Sequence, residues 1–251
     1  MDLATKRRVY DLSVPFGRDV PTYAMSLNFY NPPMMATYSL FDTTPFEKAY
    51  NRQAGPFYDT LVVFFSHTGT HLDAPMHCTK GPKKGWSVAE IPTDYLWGEG
   101  VVVGIPKGEL EEITPQDLER ATPKIEEGDM VVINTGWHKN FCGPLTDWNK
   151  AVYYATKNPG IKQAGAQWLI NKKVKVVMAD YIGIDHPAVT ERGDNSWPCH
   201  IGILSAGIPM VQVLGGEIDQ VTGKRCQICY APVKYVAGDG FPLRVLAMVE
   251  E

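Results

Sequence analysis

The sequence predicts one α/β domain with a strand-rich flank, and three observations support this. The second half of the chain alternates β-rich apolar runs with segments of helical spacing, a pattern typical of parallel strands joined by helical crossovers. The tail, residues 225–249, has the alternation expected of further strands. A length of 251 residues with 44% apolar residues allows one sizeable core. We therefore expect a single domain over residues 1–251.

Several elements follow from local patterns, taken in chain order. Residues 1–58 are rich in Pro, Met and aromatic residues, and we expect short strands and loops there, which either wall an apolar pocket or form only a loop-rich edge. Residues 61–66 form a continuous apolar run and predict a buried strand. A helix begins after Thr114, an N-cap residue followed by Pro115 at the first helical position. The long aromatic segment 137–160 is interpreted as a functional loop or a short helix. Further strands are predicted at residues 101–105, 130–134, 174–179 and 210–214, and further helices at residues 161–169 and 199–206.

Charge and cysteine usage exclude some classes of function. With 24 basic and 28 acidic residues the net charge is −4, which argues against a nucleic-acid surface. No apolar run approaches the ~18 residues of a membrane span, and no apolar stretch follows the basic N-terminal residues as in a secretory leader. Five cysteines favour reduced thiols, with Cys226 and Cys229 as structural residues. We expect a cytoplasmic protein whose partner is a small-molecule substrate, with no nucleic acid and no membrane.

Three of the six histidines lie within the eleven residues 67–77, HTGTHLDAPMH. His71 and Asp73 are two positions apart, so an extended backbone points both to one face. Gly69 permits a turn through which His67 can reach the same point. Two imidazoles and one carboxylate leave open positions on a metal, as catalytic zinc, manganese and iron sites do. The alternative is that these histidines are only hydrogen-bonded at a strand end.

A second group of polar residues lies downstream. His200 precedes a predicted helix, and Gln212 lies in the strand that follows. In a β-α-β unit such positions can converge at one end of the sheet. We therefore expect His200 and Gln212 to join the first cluster. Structural, surface or capping roles are assigned to the other histidines and to two aspartates, namely His138, His186, Asp180 and Asp185.

The eleven-residue motif resembles the H-x-G-T-H-x-D-x-P-x-H signature of the metal-dependent cyclase-like hydrolases, a family that includes kynurenine formamidase, isatin hydrolase and trans-dienelactone hydrolase. The similarity extends over most of the chain. It implies a swivelling β/α/β domain with a mixed sheet, and a homodimer or dimer of dimers that shares pocket residues. Weaker resemblances occur in the expected order at Tyr10-Asp11-Leu12-Ser13, Thr135-Gly136-Trp137, Pro159-Gly160-Ile161 and Gly183-Ile184-Asp185.

The resemblance also implies a role for each site residue. His67, His71 and Asp73 match metal ligands, whereas His77 and His200 match catalytic histidines. Kynurenine formamidase has a glutamate that helps hold a second zinc where this chain has Gln212, and a neutral amide offsets less charge. Isatin hydrolase has glutamine there with a single manganese. The chain therefore resembles isatin hydrolase more closely, which implies one divalent metal, Mn²⁺ first and Zn²⁺ as the alternative, with Gln212 as a weak ligand or as a hydrogen-bond partner of the metal's water.

The implied activity is hydrolysis of a cyclic amide such as isatin to isatinate. Open alternatives are an arylformamidase acting on N-formylkynurenine and a lactone or γ-lactam hydrolase. From other classes, a metal-dependent cyclase or lyase and a non-catalytic binding module also remain. We expect Tyr23, Phe29 and Phe57 to form an aromatic substrate wall. Tyr23-Ala24 stand where the family commonly has a tryptophan-proline pair.

Overall fold

The computed structural model of the protein describes residues 6–17, 19–20, 34–39, 58–78, 85–190 and 193–250. The strands within these ranges are β1 (Arg7–Asp11), β2 (Met34–Ser39), β3 (Tyr58–Val63), β4 (His71–Asp73), β5 (Trp97–Gly104), β6 (Glu112–Ile113), β7 (Met130–Asn134), β8 (Gly160–Ile161), β9 (Val176–Ala179), β10 (Met210–Gln212), β11 (Lys224–Tyr230), β12 (Gly240–Pro242) and β13 (Val245–Glu250). The helices are α1 (Pro115–Arg120), α2 (Trp148–Thr156), α3 (Gln163–Lys172), a π-helix (Pro198–Ile203) and α4 (Ile218–Val221). Short 3₁₀ turns occur at Pro75–His77, Val88–Glu90, Thr93–Tyr95, Trp137–Asn140 and Pro187–Val189.

A mixed sheet organises the described part of the chain. This sheet has nine strands in the order β1-β13-β11-β5-β7-β9-β10-β4-β12 among the described residues. The four neighbours β5, β7, β9 and β10 are parallel, and the strands that flank them are antiparallel. The predicted α/β class, with a mixed sheet and a strand-rich flank, is therefore confirmed.

The parallel strands are apolar because both of their faces are covered. Every residue of β7 and of β9 is buried. Val131 and Val177 belong to one core cluster, which contains residues of α1, α2 and α3, whereas Val132 and Met178 belong to a second, which contains residues of the antiparallel strands. Such continuous apolar runs are what a sheet covered on both sides requires. The helices and the flank thus fix the strand ends where the polar residues lie.

Helix α1 begins as its sequence predicts. The Thr114 side chain accepts a hydrogen bond from the backbone N–H of Asp117, and the Asp117 carboxylate accepts from the backbone N–H of Thr114. This reciprocal pair is a capping box, which satisfies donors that the first helical turn leaves open. The segment 137–160 likewise contains a short helix, α2, as one of its two interpretations predicts.

The expectation of a buried strand at residues 61–66 is wrong. Strand β3 pairs with β2 in a separate two-stranded sheet, not with the large sheet. Val63 and Phe65 are each 46% exposed. An apolar run indicates a strand but not what covers it. No helix among the described residues combines the length and the apolar character that crossing a bilayer requires.

Candidate metal centre

Strand β4 carries the centre of the motif between two antiparallel neighbours. His71 lies opposite Gln212 of β10, and Asp73 lies opposite Gly240 of β12. Both side chains reach the same face, with His71 Nε2 at 3.3 Å from Asp73 Oδ1. The two-residue spacing on an extended backbone therefore acts as the sequence predicts. The pairing also brings residues from the second half of the chain to the motif.

His67 reaches the same carboxylate through the turn at Gly69. Gly69 has φ +59, and an added Cβ there would lie 2.9 Å from Val20 Cγ1, so the turn needs glycine. The turn places His67 Nδ1 2.6 Å from Asp73 Oδ1. His71 Nδ1 donates to the carbonyl oxygen of Gly69 at 2.8 Å, which leaves its Nε2 lone pair on the Asp73 side.

These three side chains fit a divalent metal. One ligand atom from each of His67, His71 and Asp73 lies within 4.8 Å of the other two. Two neutral imidazoles and a carboxylate are donors that zinc and manganese both accept, and they leave coordination positions for water and substrate. Asp73 is fully buried, whereas His67 is partly open to solvent, so the site has an access side.

The second cluster meets the first at the other oxygen of Asp73. His200 Nε2 lies 3.4 Å from Asp73 Oδ2, and its Nδ1 lies 2.5 Å from Asp185 Oδ2. The Gln212 amide nitrogen donates to the same Asp73 oxygen, while Gln212 Oε1 accepts from the backbone N–H of Gly183 at 2.6 Å. The predicted convergence of His200 and Gln212 at the sheet end is present. The amide thus has two protein partners already, and its role as a metal ligand stays a prediction.

His77 lies beside His67 at the open side of the cluster. The ring centroids of His67 and His77 are 4.1 Å apart. Asp239 lies against both rings, with its Oδ2 at 3.0 Å from His67 Nε2 and 3.1 Å from His77 Nδ1. His77 is therefore close to the metal ligands, but its hydrogen-bond partner is Asp239, whereas His67 lies against both Asp239 and Asp73.

Carboxylates dominate the electrostatics of the cluster. Burial acts to lower the pKa of His67, but Asp73 and Asp239 outweigh it and raise that pKa to about 9. Burial likewise opposes the shift at His200, where Asp185 and Asp73 raise the pKa to about 10. The same contacts hold the pKa of Asp73 well below its usual value despite its burial. The carboxylates thus give the cluster a negative potential, which protons on these imidazoles offset in the metal-free protein and which a divalent cation would offset in their place.

The structure brings together six of the predicted site residues: His67, His71, Asp73, His77, His200 and Gln212. The predicted substrate wall, Tyr23, Phe29 and Phe57, lies outside the described residues. Asp185 is more than a loop cap, since it accepts from the backbone of Cys199 and His200 and from the His200 ring. Asp239 escaped the sequence analysis altogether. Its local signal is only a Gly-Asp-Gly turn before a strand.

Other polar residues lie outside the cluster. His138 Nδ1 lies 2.9 Å from Asp180 Oδ2, and the same aspartate accepts from the N–H and hydroxyl of Thr135. This network ties strand ends together, consistent with a structural role. Cys226 is buried and Cys229 partly buried, on opposite faces of β11 because they are three residues apart. Burial raises both thiol pKa values, as expected for unreactive cysteines.

Comparisons with known proteins place the chain in a family. Residues 10–186 match the model of the Cyclase family, described as "Putative cyclase". A kynurenine formamidase from Erythrobacter litoralis is 25% identical over 236 residues, covering 94% of this chain and 91% of that protein.

Solved structures show the same fold. Isatin hydrolase A from Labrenzia aggregata, bound to benzyl benzoate, superposes with a TM-score of 0.79 at 26% identity, covering 98% of this chain and 94% of that chain. Isatin hydrolase A from Ralstonia solanacearum gives 0.77 at 26% identity, with 97% and 92% covered. Together with the His/Asp cluster, these matches support a metal-dependent hydrolase. Because the match to the family model covers more than two thirds of the chain, the chain belongs to the cyclase family.

Proposed function

We propose that the protein hydrolyses the C–N bond of a cyclic amide of the isatin type. The observation that carries this is the convergence of His67, His71 and Asp73 beside His77, with the neutral Gln212 next to Asp73. The similarity to two isatin hydrolases over nearly the whole chain supports the substrate class.

One divalent metal, Mn²⁺ or alternatively Zn²⁺, would be held by His67, His71 and Asp73. When bound, it supplies Lewis acidity that polarises an amide carbonyl and lowers the pKa of water. The second cluster orients this centre, because His200 and Gln212 both contact the outer oxygen of Asp73. The number of metals follows from Gln212, since an amide adds no negative charge to offset a second cation.

His77 is the residue placed to move protons. It lies at the open side of the cluster, 27% exposed, with one ring nitrogen engaged by Asp239 and the other free of that contact. As general base it takes a proton from the attacking water, whose oxygen bonds to the carbonyl carbon. It then gives this proton to the amide nitrogen of the substrate as the C–N bond breaks. His200 is buried, and its pairing with Asp185 keeps its ring oriented toward Asp73. From there it assists His77 in the proton transfer.

The test is a substrate panel with the metal controlled. Protein stripped by a chelator and reloaded with Mn²⁺ or Zn²⁺ is offered isatin, N-formylkynurenine and a dienelactone, and products are weighed by mass spectrometry. We expect isatin to gain one water fastest, with no turnover in the stripped protein or in His71→Ala. Preference for N-formylkynurenine would overturn the cyclic-amide assignment in favour of an arylformamidase. A product isomeric with its substrate would indicate a cyclase or lyase, and full chelator-resistant activity would remove the metal from the mechanism.

A further inference from the structure

Among the residues that the structure describes, Asp239 is the carboxylate within hydrogen-bond distance of both a metal ligand and the proposed general base. Its Oδ2 lies 3.0 Å from His67 Nε2 and 3.1 Å from His77 Nδ1. The two histidines belong to the motif, whereas Asp239 comes from 172 and 162 residues further along the chain. Neither the motif nor the family match, which ends at residue 186, assigns it a role.

Asp239 is held firmly in place by its surroundings. Its carbonyl oxygen accepts from the backbone N–H of Ala74 at 2.9 Å, and its Oδ1 accepts from the Ser66 hydroxyl at 3.1 Å. The next residue, Gly240, pairs with Asp73 across β12 and β4. A Cβ at Gly240 would lie 2.6 Å from His67 Cε1, so the imidazole packs directly on this backbone. These contacts fix the position of the Asp239 carboxylate relative to the two histidines.

The consequence concerns which ring nitrogen carries hydrogen in each histidine. A neutral imidazole has one N–H donor and one lone pair, and an ionised carboxylate only accepts. His67 lies between two acceptors, with Asp73 at Nδ1 and Asp239 at Nε2. A metal held by Nδ1 would take the lone pair of that nitrogen, so Nε2 would carry the hydrogen and donate it to Asp239. His77 must donate from Nδ1, which leaves the lone pair of Nε2 to accept a proton. Both outcomes are the ones that the proposed chemistry needs.

We propose that Asp239 is a positioning residue that sets the tautomers of His67 and His77 at once, and so couples metal binding to proton transfer. This rests on the proposed function. In this role Asp239 acts through the two imidazoles and not directly on substrate or metal. Removing it should weaken metal binding through His67 and slow turnover through His77, and the two losses should be separable.

Metal affinity is the first measurement, since it needs no substrate. Competition against a chromophoric chelator gives the dissociation constant for Mn²⁺ and Zn²⁺. Asp239→Ala should weaken it about 10- to 100-fold, as is usual when the partner of a ligating histidine is removed. Asp239→Asn keeps the shape of the side chain but offers a weaker, uncharged acceptor. Its dissociation constant for the metal should lie between those of wild type and Asp239→Ala. Ser66→Ala, which removes only the contact to the other carboxylate oxygen, is the matched control and should lose less than Asp239→Ala.

Double variants then separate the two routes. In a His77→Ala background, Asp239→Ala should weaken metal binding by the same factor as before but cause no further fall in kcat at saturating metal. Long-range ¹H–¹⁵N correlation spectra of the Zn²⁺-loaded protein should show His77 as the Nδ1–H tautomer, and this should be lost in Asp239→Ala. Asp239→Asn provides the same readouts if the alanine variant does not fold.

The outcomes distinguish this inference from the proposed function. A wild-type protein that binds no divalent metal contradicts the proposed function itself. Wild-type metal binding that is unchanged in Asp239→Ala and Asp239→Asn, or kcat losses that add with those of His77→Ala, overturn the role of Asp239. Loss of one of two bound metals in Asp239→Ala would instead make His67, His77 and Asp239, whose donor atoms also lie within 4.8 Å of one another, a metal site in their own right.

Discussion

Asp73 is the residue at which the separate parts of the site meet. One of its oxygens lies next to His67 and His71, and the other next to His200 and Gln212. The spacing of the motif on one strand predicts the first pair of contacts, because those residues are close in sequence. It does not predict Asp185 or Asp239, since their contacts depend on how distant strands pair. Long-range partners of this kind leave only a weak local signal.

His77 should be needed for turnover but not for the metal. We expect His77→Ala to keep its metal content and lose at least ~100-fold in kcat, the usual contribution of a general base. Metal analysis of the same sample is the internal control, because it separates a lost base from a lost cofactor. Undiminished kcat in this variant would remove His77 from the proton-transfer step.

Gln212 should limit the number of metals. In Gln212→Glu one carboxylate oxygen can still accept from Gly183, but the other would face Asp73. Two carboxylates in contact repel unless a cation lies between them. We expect the metal-free variant to melt at a lower temperature than wild type and the loaded variant to bind a second metal.

Gln212→Met is the control for this change, since it removes the donor without adding charge. It should bind no more metal than wild type. If Gln212→Glu also takes up only one metal per chain, the charge at this position does not set the stoichiometry.

At the scale of elements, the capping box of α1 provides a test of local stability. Burial acts to raise the pKa of Asp117, but hydrogen bonds from Thr114 and the ammonium of Lys107 lower it. A group whose folded pKa is depressed stabilises the fold above its unfolded pKa of about 3.8, and loses this effect as pH falls through the folded value. Asp117→Asn should therefore lower the free energy of unfolding at pH 7 and make little difference near pH 2.

Chemical denaturation at both pH values measures this directly. Thr114→Ala, which removes the other half of the box, should cost about 1 kcal/mol. Glu119→Gln removes a carboxylate from the same helix outside the box and is the control. Equal losses for Asp117→Asn at pH 7 and pH 2 would show that ionisation of Asp117 does not contribute.

Elements defined by local chemistry were the most predictable. The parallel strands follow from apolar runs and α1 from its cap. The π-helix Pro198–Ile203 overlaps the predicted helix at residues 199–206, and Gly207, with φ +80, lies in the turn beyond it. The predicted buried strand at residues 61–66 fails because burial depends on the partner that a strand finds. Sequence patterns report propensity and period, whereas pairing is decided by the whole chain.

At the scale of the molecule, the mixed sheet brings distant parts of the chain to the motif. Strand β4 lies near one end of the sheet, between β10 from the parallel core and β12 from the tail. The site thus collects residues from the motif, the core and the tail. The single domain over residues 1–251, the dimeric assembly and the cytoplasmic location stay predictions.

The metal count of the intact protein tests the proposed single-metal hydrolase most directly. Protein purified without chelators is analysed for metal per chain, stripped, and titrated with Mn²⁺ and Zn²⁺ while isatin hydrolysis is followed. We expect one metal per chain, and activity restored fully by one equivalent. Two metals per chain, or full activity in metal-free protein, would contradict a single-metal hydrolase.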